Sequence, residues 1–196
     1  MEFVVMSALL AMIAVFVAML LKAEKGRRRA ERVAEGGFLL AFSELLARMA
    51  MVDGVVSSDE VKTSTGMFSD MGLSRAERAM CFGNFTLALA NETAGEPEGL
   101  ARELCGTCTH AACLLIYGLI LRVALADWRI SGEEEGLLAK VGGALGLTED
   151  ECGTIRAGKA PELDFDALVD AGVPSALARL ATQSGVRDSG LGIWDR

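Results

Sequence analysis

Aromatic side chains are scarce in this chain, 6% of 196 residues, and His110 is its single histidine. Sheets draw on aromatic and β-branched residues, whereas Ala, Leu, Val and Met dominate the 52% of residues that are hydrophobic here. The composition therefore points to an all-α protein. Also missing are a P-loop, a dinucleotide fingerprint, a Ser-His-Asp set and a pair of catalytic carboxylates, so the chain is not expected to be an enzyme. The five cysteines, Cys81, Cys105, Cys108, Cys113 and Cys152, form no even, regularly spaced set. That argues against a disulfide framework and for a reducing compartment.

Charge is absent from Phe3 to Leu21, "FVVMSALLAMIAVFVAMLL". At ~1.5 Å per helical residue such a run covers roughly the 30 Å hydrocarbon layer of a bilayer. A cleaved signal peptide would carry its positive charge ahead of the apolar run. Here only Glu2 precedes it, and the basic cluster Lys22, Lys25, Arg27, Arg28, Arg29 and Arg32 follows. Residues 1–22 are thus expected to be a retained transmembrane anchor and 23–36 a basic juxtamembrane linker. The positive-inside rule then puts the N-terminus in the periplasm and the rest in the cytoplasm of a bacterial cell, at the inner membrane. The basic cluster either clamps anionic lipid head groups or serves only to set topology. Ser7, Ala11, Ala14 and Ala18 give the anchor a small-residue face through which two copies could form a homodimer.

Positive charge is in short supply beyond the linker. From Gly36 onward there are 23 acidic residues against 13 basic ones, a net charge of about −10. Phosphate neutralisation needs clustered Lys and Arg, so nucleic acid is excluded as a partner.

What the chain does contain is a repeat. Shifted by 74 positions, Leu45–Glu77 aligns without a gap on Leu119–Glu151. Asp53 meets Asp127, Ser57 meets Ser131, Glu60 meets Glu134, and Gly72-Leu73 meets Gly146-Leu147. Ser57/Glu60, Ser131/Glu134, Ser74/Glu77 and Thr148/Glu151 each fit a capping box, so helices are expected to start there. Gly72 and Gly146 suit the left-handed position past a helix end. An apolar helix should precede each Asp: Phe38, Phe42, Leu45, Leu46 and Met49 mark the first. One continuous stripe from Cys105 through Cys108, Ala112, Leu115 and Ile116 to Leu119 marks the second. The repeats span about 38–90 and 100–158, and residues 159–196 are read as short C-terminal helices and a tail containing Trp194.

The duplicated A-D-G-x-(I/V)-S-x-x-E joint and the G-L-(S/T)-x-x-E turn resemble the tellurite-resistance TerB superfamily. The anchor, basic stretch and helical domain are similar to the arrangement of membrane co-chaperones of the DjlA type. The resemblance implies that residues 37–158 form an all-α bundle of about seven helices with an internal duplication. It also implies a membrane-tethered interaction module that docks a protein partner or membrane complex. A divalent-cation-binding stress-response module and a J-less co-chaperone adaptor are its alternatives. Two departures stand out. No J domain with its His-Pro-Asp tripeptide follows, and the joint glycine, Gly54 in the first copy, is Trp128 in the second. A left-handed backbone is costly for Trp, so the second joint is expected to differ in geometry.

Asp53, Glu60, Asp127 and Glu134 are the residues on which a TerB-like cation site would rest, with Asp59, Glu133 and Glu135 adding charge. Their oxygens suit hard cations such as Ca²⁺ or Mg²⁺. An EF-hand loop is absent, however, and end-capping accounts for the same spacing, so no cofactor beyond such a cation is expected. In "CGTCTHAAC" Thr109 separates His110 from the second cysteine, which excludes haem attachment. On one continuous helix His110 would point away from the Cys105/Cys108 face, which leaves core packing ahead of zinc or a redox CxxC. Arg48 and Arg122, five residues before each Asp, are read as pairing with a carboxylate of the other unit or as anion contacts.

Overall fold

The computed structural model describes residues 36–91 and 95–158. The chain divides into two units, Met1–Gly36 and Gly37–Arg196, and the described residues, Gly36 apart, lie in the second. The apolar run Phe3–Leu21, the basic cluster and the C-terminal stretch with Trp194 fall outside the described residues. Among those described there are seven helices and no strand, and no helix is long and apolar enough to cross a membrane.

Helix α1 covers residues 36–50. It is followed by α2 (Ser58–Asp70), α3 (Arg75–Ala90), α4 (Pro97–Thr107), α5 (His110–Ala124), α6 (Gly132–Ala144) and α7 (Glu149–Arg156). The starts of α5, α6 and α7 lie 74 residues after those of α1, α2 and α3, and α5 and α6 also end 74 residues after α1 and α2. Among the described residues α4 has no counterpart. The end chemistry fixes these boundaries. At Ser57, Ser74, Ser131 and Thr148 the side-chain oxygen accepts from the N3 amide, while the N3 glutamate accepts from the cap amide. Each box satisfies two amides that the helix itself cannot. Past α2 and α6, Gly72 and Gly146 take φ of 61° and 74°. At the end of α6, Leu147 N donates to Gly142 O and Gly146 N to Gly143 O, closing a Schellman turn.

The stripe from Cys105 to Leu119 is not one helix. Cys108 and Thr109 are both extended, and Thr109 Oγ1 accepts from Ala112 N at 3.3 Å, which restarts the chain as α5. A β-branched hydroxyl residue is better placed as an N-cap than inside a helix, and here it divides one apolar pattern into two helices.

The core forms around α5, in which twelve of fifteen residues are buried, from Ala112 to Ala124. A helix apolar on all sides must be packed on all sides, and α2, α4, α6 and α7 all contact it. In α1, Phe38, Phe42, Leu45, Leu46 and Met49 are buried, as the pattern requires, with the rings of Phe38 and Phe42 stacked at 5.8 Å.

Candidate functional site at the two interhelical joints

Each joint is a short turn that ends in a capping box. In the first, Gly54 N donates to Met51 O and Asp53 Oδ1 accepts from Val55 N at 2.9 Å. In the second, Trp128 N donates to Leu125 O and Asp127 Oδ1 accepts from Arg129 N at 3.0 Å. Both aspartates thus brace the loop two residues on. Ser57 N reaches Glu60 Oε2 and Ser131 N reaches Glu134 Oε2, each at 2.7 Å, and both glutamates are buried.

The expected difference at Trp128 is not found. Its φ is 68°, beside 81° for Gly54, so the two joints share one left-handed geometry. The turn hydrogen bond, the Asp127 brace and the Ser131 box together fix this backbone against the preference of a bulky residue, which costs about 1–2 kcal/mol. The indole gains no burial in exchange, because Trp128 is 80% exposed. Val55 at 70%, together with Val56 and Ile130, is exposed as well, so four of the seven large hydrophobic side chains exposed among the described residues belong to the joints.

The joints also feel each other electrostatically. Burial raises the Glu60 carboxyl above its ordinary value, and the charges of Glu134 and Asp53 add to that rise, against hydrogen bonds from Ser57. Glu60 and Glu134 each spend Oε2 on a cap, and Asp53 and Asp127 each spend Oδ1 on a turn. Among the described residues no three His, Cys, Asp or Glu side chains are placed together to hold one ion.

The cysteine segment is divided by the α4–α5 break. His110 Nε2 lies 2.7 Å from Glu151 Oε1 on α7, and Cys105 Sγ donates to Leu145 O at 3.5 Å. All five thiols are free. Burial pushes Cys113 up to about 12 and Cys81 up to about 11, and it raises Cys108 and Cys152 too. Thiols so shifted are poor nucleophiles, which fits packing rather than redox exchange. Arg48 and Arg122 have no ion-pair partner among the described residues, so the expected pairing with a carboxylate of the other unit is not seen. The exposure of Trp128 and the surroundings of the two arginines are set by the tertiary arrangement, and no motif in the sequence signals them.

Glu151 gives a pH test. Its carboxyl is held down at about 2 by the Thr148 amide, then His110, then the Thr148 hydroxyl. A depressed carboxyl contributes stability above its ordinary value of 4.5 and loses it as pH falls toward about 2. Glu60, shifted the other way, is eased by acid, so the acid-side loss is carried by groups such as Glu151. In Glu151→Gln, thermal melts should therefore show a smaller drop in stability between these two pH values than in the parent. An unchanged drop would assign the acid sensitivity elsewhere.

Neither the curated proteins nor the solved structures include a match to this chain. A family model does match: that of "Tellurite resistance protein TerB", over residues 39–157, more than half of the chain. The match runs from Leu39 in α1 to Ala157, just past the end of α7, and takes in both joints. The chain belongs to the TerB family.

Proposed function

We propose that this TerB module works by docking, and that the joint face receives a protein partner at the cytoplasmic side of a bacterial inner membrane. The apolar run Phe3–Leu21 would serve as the tether, with Lys22 to Arg32 against anionic head groups and a second copy alongside in the bilayer. The observation that carries the reading is Trp128: a large apolar side chain kept exposed on a backbone that disfavours it, with Val55, Val56 and Ile130 also exposed at the joints. Exposed apolar groups with a polar rim mark interaction sites. The rim here is acidic, with Asp53, Asp59, Asp127, Glu133 and Glu135 all exposed. The fitting partner is therefore an apolar segment flanked by Lys and Arg. A J-less adaptor in a DjlA-type system is a special case of such docking, and the module acts by binding rather than catalysis.

The test is a mild-detergent pull-down from membranes, comparing the parent chain with Trp128→Gly and with Asp53→Lys/Asp127→Lys by quantitative mass spectrometry. Proteins of a membrane complex should drop out with both variants. Identical profiles would end the reading.

A second reading, divalent cation binding at Asp53, Glu60, Asp127 and Glu134, is favoured by the upward push that Glu134 and Asp53 exert on Glu60. A bound cation would reverse that push. Holding one would require the joints to draw together. Calorimetric titration with Ca²⁺ and Mg²⁺ decides: heat that vanishes in Asp53→Asn/Asp127→Asn supports a cation site, and silence removes it.

A further inference from the structure

The last residues of α1, the start of α4 and the first turns of α6 line an open cleft of about 480 Å³. Glu44 of α1 accepts from Gly95 N at 2.6 Å, which holds the entry to α4 beside α1. Arg48 lines this cleft, and its Nε is buried without a hydrogen-bond partner. Among the described residues its one polar contact is Nη1 to Met51 Sδ at 3.7 Å. A guanidinium keeps its charge at every physiological pH, and a buried charged donor left unmatched is costly. A carboxylate matches its planar fork better than any other common group.

The repeat supplies an internal comparison. Arg122, the 74-residue counterpart of Arg48, is not among the residues that line this cleft. At the start of α4 the N-cap residue Glu96 makes no side-chain capping bond, and Glu96, Pro97 and Glu98 line the cleft.

The lining limits the ligand. Lys140 is paired with Glu98 at 3.7 Å, while Glu96 and Glu133 stand exposed at the rim. Three glutamates against two cations disfavour a phosphate or a polycarboxylate. Met51, Val52, Pro97 and Leu137 supply apolar wall. We infer that this cleft binds a single carboxylate attached to a short apolar group, with Arg48 as its anchor. The C-terminus of a polypeptide ending in an apolar residue and a free short-chain acid both have this chemistry.

The test uses the full-length chain in neutral detergent and fluorescence anisotropy of an amino-labelled pentapeptide ending in leucine. The free acid should bind, and the C-terminally amidated peptide should bind at least about tenfold more weakly, the change expected for loss of a charged hydrogen-bond partner. Arg48→Gln should lose the same factor and Arg48→Lys part of it, whereas Arg122→Gln and Trp128→Gly should bind like the parent. The last variant separates this site from docking at the joints. Displacement of the peptide by hexanoate, at concentrations similar to the peptide's own affinity, assigns the pocket to free acids, and failure of hexanoate to compete assigns it to chain termini. Equal binding of acid and amide, no binding of either peptide and no hexanoate-dependent quenching, or parent-like binding by a folded Arg48→Gln variant would each overturn the inference.

Discussion

Gly142→Ala should destabilise the domain by about 1–3 kcal/mol, the usual cost of forcing extra volume into a packed core. The sign is informative, because in a helix interior alanine is otherwise favoured over glycine by about 0.5–1 kcal/mol. Gly142 lies in α6 where that helix meets both α5 and α7. A Cβ there would come within 2.7 Å of Cys152 Sγ and 3.2 Å of Tyr117 Cε2. Tyr117 is fully buried and Cys152 nearly so, so neither can swing into open space. Gly143, one residue on, is the control: a Cβ there meets nothing within 4 Å, and Gly143→Ala should stabilise by roughly 0.5–1 kcal/mol. Urea denaturation of the two variants gives the comparison, and a neutral Gly142→Ala would show that the α5–α6–α7 contact is looser than described.

The repeat explains why the glycine is there. Seventy-four residues earlier, the positions of Tyr117 and Gly142 are Ser43 and Phe68. Both copies bury one large and one small residue at this pair, but the large one is on the middle helix in the first and on the apolar helix in the second. Volume is conserved across the pair rather than at each position, which is what close packing demands. Phe68 packs edge-on against Phe85 at 6.2 Å, whereas the Tyr117 hydroxyl accepts from Arg156 Nε at 3.1 Å. The two cores therefore match in plan and differ in the contacts around them.

This division between local and distant causes also decides what could be read from the sequence. The four capping boxes, Gly72 and Gly146 were legible because a cap is settled by residues three or four apart, and the α1 stripe was legible because one face of α1 is core. The break at Thr109 was not. The apolar residues on either side of it keep three- and four-residue steps, so periodicity runs on through a point where the backbone stops being helical. Nor was the conformation of Trp128: propensity spoke against a left-handed tryptophan, but the turn before it and the cap after it are held by Asp127, Ser131 and Glu134, and together they outweigh one residue's preference. Arg48 and Arg122 look alike in sequence, and the cleft at Arg48 is built with residues of α4 and α6 that lie far from it in the chain.

Trp128→Gly should separate stability from function. In most proteins removal of a tryptophan costs stability because burial is lost, but here the side chain is 80% exposed and there is little burial to lose. Glycine adopts a φ of 68° without penalty, which recovers about 1–2 kcal/mol of left-handed strain. Against this, glycine adds unfolded-state entropy worth about 0.4–1 kcal/mol. The balance is a variant as stable as the parent or more so by about 1 kcal/mol, with the Asp127 brace and the Ser131 box unchanged. Docking should respond in the opposite direction. A tryptophan at the centre of an interface commonly carries 2 kcal/mol or more, so affinity for the partner should fall by about thirtyfold or beyond. Thermal melts and partner titrations on the same two proteins read both effects. A destabilised Trp128→Gly would show that the indole supports the fold, and its exposure would then say nothing of a partner. A stable variant that binds as before would leave the strain at this joint without a purpose in docking.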